Sequence, residues 1–300
     1  MSRYNPTLLT PPREDEEVYP YRRVWQSIAF ENTVIMGVAV LFLIAYDFLG
    51  VRLPQVIIPY VNVLIAILPT ILWLLSSYYR ERLVTQPRQN LLTVFIITAL
   101  AANAIGIPVV NDLFKVEEWL SLESTLNRIL GYAITIGITQ EIIKYLVLRY
   151  IIWNQNLRTR TDMIAYVAAS VVGYVTVVNL HLIADTSLAP NIVAYRVTFT
   201  VALHMTASMI VGFGLSELHF NPRSVLLMPF MLILAIILIG ILIPVRSGIL
   251  NAGFVLGIGV QNALFGVIFT IIIMTAPQFV IAFLYENAEN RQRQAGSTKG

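Results

Sequence analysis

The chain reads as an all-α polytopic membrane protein with about eight transmembrane helices and both termini in the cytoplasm. Of its 300 residues, 57% are hydrophobic and 12% charged, about half the charge fraction of a soluble domain, and the mean hydropathy is +0.73. Apolar runs of about 20 residues, enough to span a bilayer as helix, recur along its length. Basic residues are also distributed unevenly between alternate loops, as membrane topology requires.

Residues 1–31 are polar and carry "PPREDEEVYPYRR". They lack the charged-then-apolar pattern of a signal peptide and read as a cytoplasmic tail. A single helical transmembrane domain is expected over 32–286, with spans at Thr33–Leu49, Val56–Tyr78, Leu91–Val110, Ile129–Trp153, Met163–Ala184, Ile192–Leu215 and Val225–Val245. The stretch from Leu250 to Tyr285, interrupted by Pro277, is either one span with an interfacial continuation or two spans with almost no room for a turn; it is counted as one. The loop "NDLFKVEEWLSLESTLNR" is acidic and amphipathic enough for a short interfacial helix. Residues 287–300 are expected as a disordered cytoplasmic tail.

With eight spans the termini share one side. The loops on that side carry 14 of the 20 Lys and Arg residues, against five on the other: Arg52, Lys115, Arg128, Arg196 and Arg246. That bias places the termini inside a cytoplasmic (plasma) membrane. Because these charges are scattered over short loops, the pI of about 9.1 reflects topology rather than nucleic-acid binding. The absence of cysteine excludes disulfides, thiolate metal sites and a cysteine nucleophile. Small residues four apart, Ser208 with Gly212 and Gly253 with Gly257, read as helix-packing positions.

Within the spans, ionisable residues are few. In "ITQEIIKYLVLRY" (138–150), Glu141 and Lys144 lie one turn apart beside Gln140. At about 1.5 Å per residue, Glu141 and His204 each sit roughly 18 Å below the outer ends of their spans. Asn179 and Asn262 fall near the same layer. Glu141 and Lys144 would neutralise each other, but two leucines would span more stably, and charged residues at this depth mark functional sites.

These residues also carry a family pattern. Gln140, Glu141 and Lys144 align with a Glu-Glu-x-x-Lys motif. "RTDMIAYVAASVVGYVTVVNL" supplies an Asp at a helix start, a Gly and an Asn: Asp162, Gly173 and Asn179. "RVTFTVALHMTASMIVGFG" places Arg196 eight residues before His204, with Gly212 and Gly214 after it. In this order and spacing, over about 80 residues, the chain resembles the PrsW family of intramembrane proteases, which belong with the CAAX prenyl endopeptidases. The family's last block, a His and then an Asn in the final span, finds its best counterpart in "QNALFG", where Asn262 stands for the His and Gly266 for the Asn. The PrsW-like core covers about 129–275.

The resemblance implies an intramembrane endopeptidase acting on transmembrane or membrane-proximal peptides, with the lipid bilayer as its surroundings. By that likeness Glu141 is the candidate general base and His204 the acid or oxyanion donor, with Lys144 keeping Glu141 charged. Gln140, Asn179, Arg196 and Asn262 are candidate substrate-binding residues. The departures fall on the chemistry: Gln140 replaces a glutamate, Val178 the glutamate before Asn179, and Asn262 a histidine. The cofactor stays open. A catalytic zinc usually takes three protein ligands and a water, whereas only Glu141 and His204 remain as good ligands at this depth. His181, two residues after Asn179, points about 200° away around its helix. Two other readings stand beside the protease: a catalytically inactive relative serving as a binding or regulatory subunit, and a proton- or ion-coupled transporter using Glu141, Lys144 and His204 as a relay. Against the transporter, no internal repeat is evident.

Overall fold

The computed structural model describes residues 21–83, 88–120, 123–152, 157, 159–184, 188–221, 226–251 and 259–297, and among them every regular element is helical. We number the helices in chain order. Helix α1 spans 21–48, α2 Ile58–Arg82 and α3 Leu91–Leu113; a single turn, α4, covers Val116–Trp119. Helix α5 spans 125–152, α6 Arg160–Ala184, α7 Pro190–Phe220, α8 Leu227–Asn251 and α9 Gly259–Ser297.

Seven of these, α1, α2, α3, α6, α7, α8 and α9, contain segments long and apolar enough to cross a membrane. Helix α5 has the length, since residues 125–152 give about 42 Å, but Gln140, Glu141 and Lys144 interrupt its apolar run. It is the span in which hydropathy is sacrificed to a polar cluster.

Burial identifies the centre of the bundle. The apolar window of α7 is 89% buried and that of α6 72%, against 22–33% for the other five. Helix α7 packs on α1, α2, α5, α6, α8 and α9, so its side chains meet protein on nearly every side. The outer helices turn residues such as Leu64, Leu100, Phe230 and Phe279 outward, as lipid-facing helices do. Gly173 lets α3 and α6 approach closely, because a Cβ at this position would run into the Phe95 carbonyl. Gly240 does the same between α8 and α5, where a Cβ would lie 2.6 Å from the Ala133 Cβ.

The α6 end of the bundle at Arg160 is tied by buried ion pairs. Arg160 Nε donates to Glu217 Oε1 of α7 at 2.6 Å, and Arg88 bridges Glu81 (2.6 Å) and Asp162 (2.8 Å). Asp162 also accepts from the Thr159 backbone N–H at 3.0 Å, which satisfies one of the orphan donors at the start of α6.

The structure differs from the sequence reading at several ends. Helix α1 begins by Tyr21, well before residue 32. Pro277 lies inside α9, in keeping with the single span expected there, but α9 also runs on through the polar residues past 287 to Ser297. Among the described residues of the loop before α5, the one turn of α4 is followed by Ser124, which caps α5 by accepting from Asn127 N–H at 3.4 Å. Residues 1–20 lie outside the described residues.

Candidate active site

The site is built where α5 passes α7. Helix α5 contains a wide π turn over Ala133–Gly137, directly before Ile138. A π turn adds a residue to the helical circuit and so rotates the side chains beyond it, and such turns often adjoin functional sites. The glycine that ends it, Gly137, sits against the Ile236 carbonyl of α8, 2.9 Å from where its Cβ would be. Beyond the turn, Gln140, Glu141 and Lys144 are all buried, Glu141 with no exposure and Lys144 at 1%.

Lys144 organises the cluster. Its Nζ donates to Glu141 Oε1 at 2.5 Å, to Ser208 Oγ at 2.6 Å and to His204 Nδ1 at 3.2 Å. An ammonium has three N–H donors, and here each meets an acceptor. Ser208 donates its own proton to Glu141 Oε2 at 3.1 Å. His204 and Ser208 are one turn apart on α7 and face the same way. Tyr174 of α6 floors the group, its ring 5.5 Å from Lys144 Nζ and 5.4 Å from the His204 ring. Because the ammonium occupies His204 Nδ1 as an acceptor, the proton of the neutral ring belongs on Nε2.

A buried ion pair is retained only when geometry and additional hydrogen bonds offset the loss of water. This one meets that condition. Chemically it comprises an anionic oxygen pair, a histidine whose second nitrogen is left to donate, and a hydroxyl linking the two helices.

Among the described residues no hydrogen bond joins the remaining candidates to Glu141, Lys144 or His204. Asn179 is completely buried, with both side-chain polar atoms lacking a hydrogen-bond partner. It is five residues past Tyr174, about 140° around α6, and among the described residues no hydrogen bond joins it to the cluster. Gln140 is buried beside Glu141 in sequence, with its Oε1 unpartnered. Arg196, eight residues or about 12 Å along α7 from His204, lines a different cavity. Asn262 belongs to α9, but its side chain lies outside the described residues. His181 is exposed, in keeping with its expected position away from the site.

The sequence reading missed Ser208 and Tyr174. In sequence Ser208 reads as a small packing residue paired with Gly212, yet its hydroxyl bonds both charges of the pair. The available signal was its position four residues after His204. Gly212 does serve packing, lying against Val167.

Fold and site together define a polytopic helical membrane protein with a carboxylate, amine and imidazole cluster sealed inside it. Residues 86–276 match the PrsW family intramembrane metalloprotease, and the chain belongs to this family. No curated protein and no solved structure matches the chain significantly.

The metal in that family description has to be tested against the donors present. Among the described residues no group of three His, Cys, Asp or Glu side chains converges. Glu141 and His204 do meet, but through Lys144 Nζ, so a cation already stands between them. Two ligands sharing an ammonium do not fit a catalytic zinc, which takes three protein ligands.

Proposed function

We propose that this protein is an intramembrane endopeptidase in which Glu141 acts as general base and His204 as general acid or oxyanion donor, cleaving peptide bonds in or near membrane helices. The observation that carries this reading is the direct assembly of Glu141, Lys144 and His204, buried between α5, α6 and α7. Glu141 would take a proton from water as the water oxygen bonds to the carbonyl carbon, and would hand that proton to the amine nitrogen as the C–N bond breaks. Lys144 would keep its partner charged and hold it in place, and His204 Nε2 would donate to the carbonyl oxygen as negative charge develops there. Gln140 and Asn179, buried with unpartnered amide atoms, would orient the peptide, and Asn262 would be a further substrate contact.

This reading also puts the protein in the cytoplasmic membrane with both termini inside, supported by the 14-to-five bias of basic residues. The substrate would be a transmembrane or membrane-proximal protein segment. Reconstituted protein incubated with transmembrane substrates should cleave them, with cleavage lost in Glu141→Gln and in His204→Ala. Cleavage that survives both changes overturns the assignment.

A second reading is favoured by one specific observation: the carboxylate that would partner Glu141 is replaced by Gln140, and the site's cation is a lysine satisfied on all three donors. On this reading the fold binds membrane helices without turnover. Gln140→Glu then gains cleavage from an inactive parent, whereas an active wild-type protein rules it out.

A further inference from the structure

We propose that a cavity at the end of the bundle opposite the Arg160–Glu217 tie binds the phosphate headgroup of an anionic lipid. The cavity has a volume of about 380 Å³ and is lined by Arg196 and Arg246, with Asp47, Asn191, Leu43 and Val267. Pockets that hold small ligands begin at about 300 Å³.

Its level in the membrane is set by the ends of its helices. Asp47 is in the last turn of the first span, Asn191 at the start of α7 and Arg246 in the last turn of the Leu227–Gly248 span. The polar wall therefore lies at the depth of lipid phosphates, while Leu43 and Val267 continue below it as an apolar wall.

The charges are unbalanced. Among the described residues neither Arg196 nor Arg246 forms an ion pair. Arg246 Nε is buried without a hydrogen-bond partner. The Arg246 guanidinium is instead held against rings, 4.9 Å from Tyr195 and 4.4 Å from Phe199. Those contacts fix the plane of the fork without neutralising its charge. The one carboxylate lining the cavity, Asp47, accepts from the Asn191 amide at 3.1 and 3.3 Å. A third arginine, Arg128, reaches the rim by donating to Ser247 Oγ at 3.2 Å. This is the face with few basic residues, five in total, and three of them gather here.

Two like charges facing one cavity at a membrane interface call for an anion, and guanidinium pairs match phosphate oxygens bidentately. The apolar wall beneath selects an anion that carries acyl chains. A net positive lining disfavours headgroups that bring their own cation, so phosphatidylglycerol should be preferred to phosphatidylcholine.

Native mass spectrometry of the full chain, delipidated in detergent, decides this without measuring proteolysis. Phosphatidylglycerol should bind about tenfold more tightly than phosphatidylcholine of the same acyl length. Arg196→Gln and Arg246→Gln should each remove about tenfold of that binding, and Asp47→Asn should strengthen it. Lipid-free melting temperatures report whether each variant folds. If the arginine variants do not fold, the Asp47→Asn result still decides. Equal binding of the two lipids, unchanged binding in folded arginine variants, or weaker binding in Asp47→Asn overturns the proposal. Displacement of phosphatidylglycerol by millimolar inorganic phosphate overturns the lipid source and leaves a soluble anion.

Discussion

Lys144 carries more of the site than a role as counter-charge to Glu141 implies. It is 1% exposed and bonded to Glu141, His204 and Ser208 at once. Removing one partner of such a pair strands the other charge, at about 3–5 kcal/mol. Lys144→Met should therefore destabilise the protein by about that much in a denaturant titration in detergent micelles, and adding Glu141→Gln should restore most of the loss. If the double variant is as unstable as the single, the pair is not the source of the cost. Ser208→Ala should cost about 1–3 kcal/mol by unpairing groups on both charges. The charged pair was legible in the sequence because ionisable residues at that depth stand out. Ser208 and Tyr174 were not, because a serine and a tyrosine among apolar residues look like packing until the facing helix is known.

At the level of elements, the aim of Glu141 depends on the π turn Ala133–Gly137 and its seat on α8. Gly240 permits that approach. Gly240→Leu should push α5 away from α8 and cost about 1–3 kcal/mol as an overpacking change. It should also lower cleavage although it touches no candidate catalytic atom; unchanged cleavage in a folded Gly240→Leu variant would separate the turn from the site. The spans themselves were readable as apolar runs. The π turn was not, since an inserted residue leaves hydropathy unchanged. The continuity of the last span through Pro277 was readable from the lack of room for a turn, and in an apolar environment neighbouring helices can accommodate a proline that would end a helix in water; the helical course of the polar residues past 287 was not. Convergence of Glu141 with His204 was anticipated by comparing depths. Depth does not give the facing direction, and for that reason Asn179 and Arg196 could share the motif order without joining the cluster.

For the whole molecule, α6 and α7 form a buried axis that the outer helices screen from lipid. Buried ion pairs lock one end, and the arginine-lined cavity lies at the other. The absence of cysteine makes the expected orientation testable with no background. A cysteine introduced for Ser297 should react with an impermeant maleimide only after cells are opened, and one introduced for Arg52 should react in intact cells. The reverse pattern would invert the protein in the membrane. The central claim is that Glu141 and His204 operate as one hydrolytic unit. The most direct measurement is the rate of cleavage of one transmembrane substrate by the wild type, Glu141→Gln, His204→Gln and the double variant in proteoliposomes. Each single change should slow cleavage by about 10²–10⁴-fold, and the double variant should be scarcely slower than either, as for residues that act together. Multiplying losses, or cleavage that persists in Glu141→Gln, would contradict it.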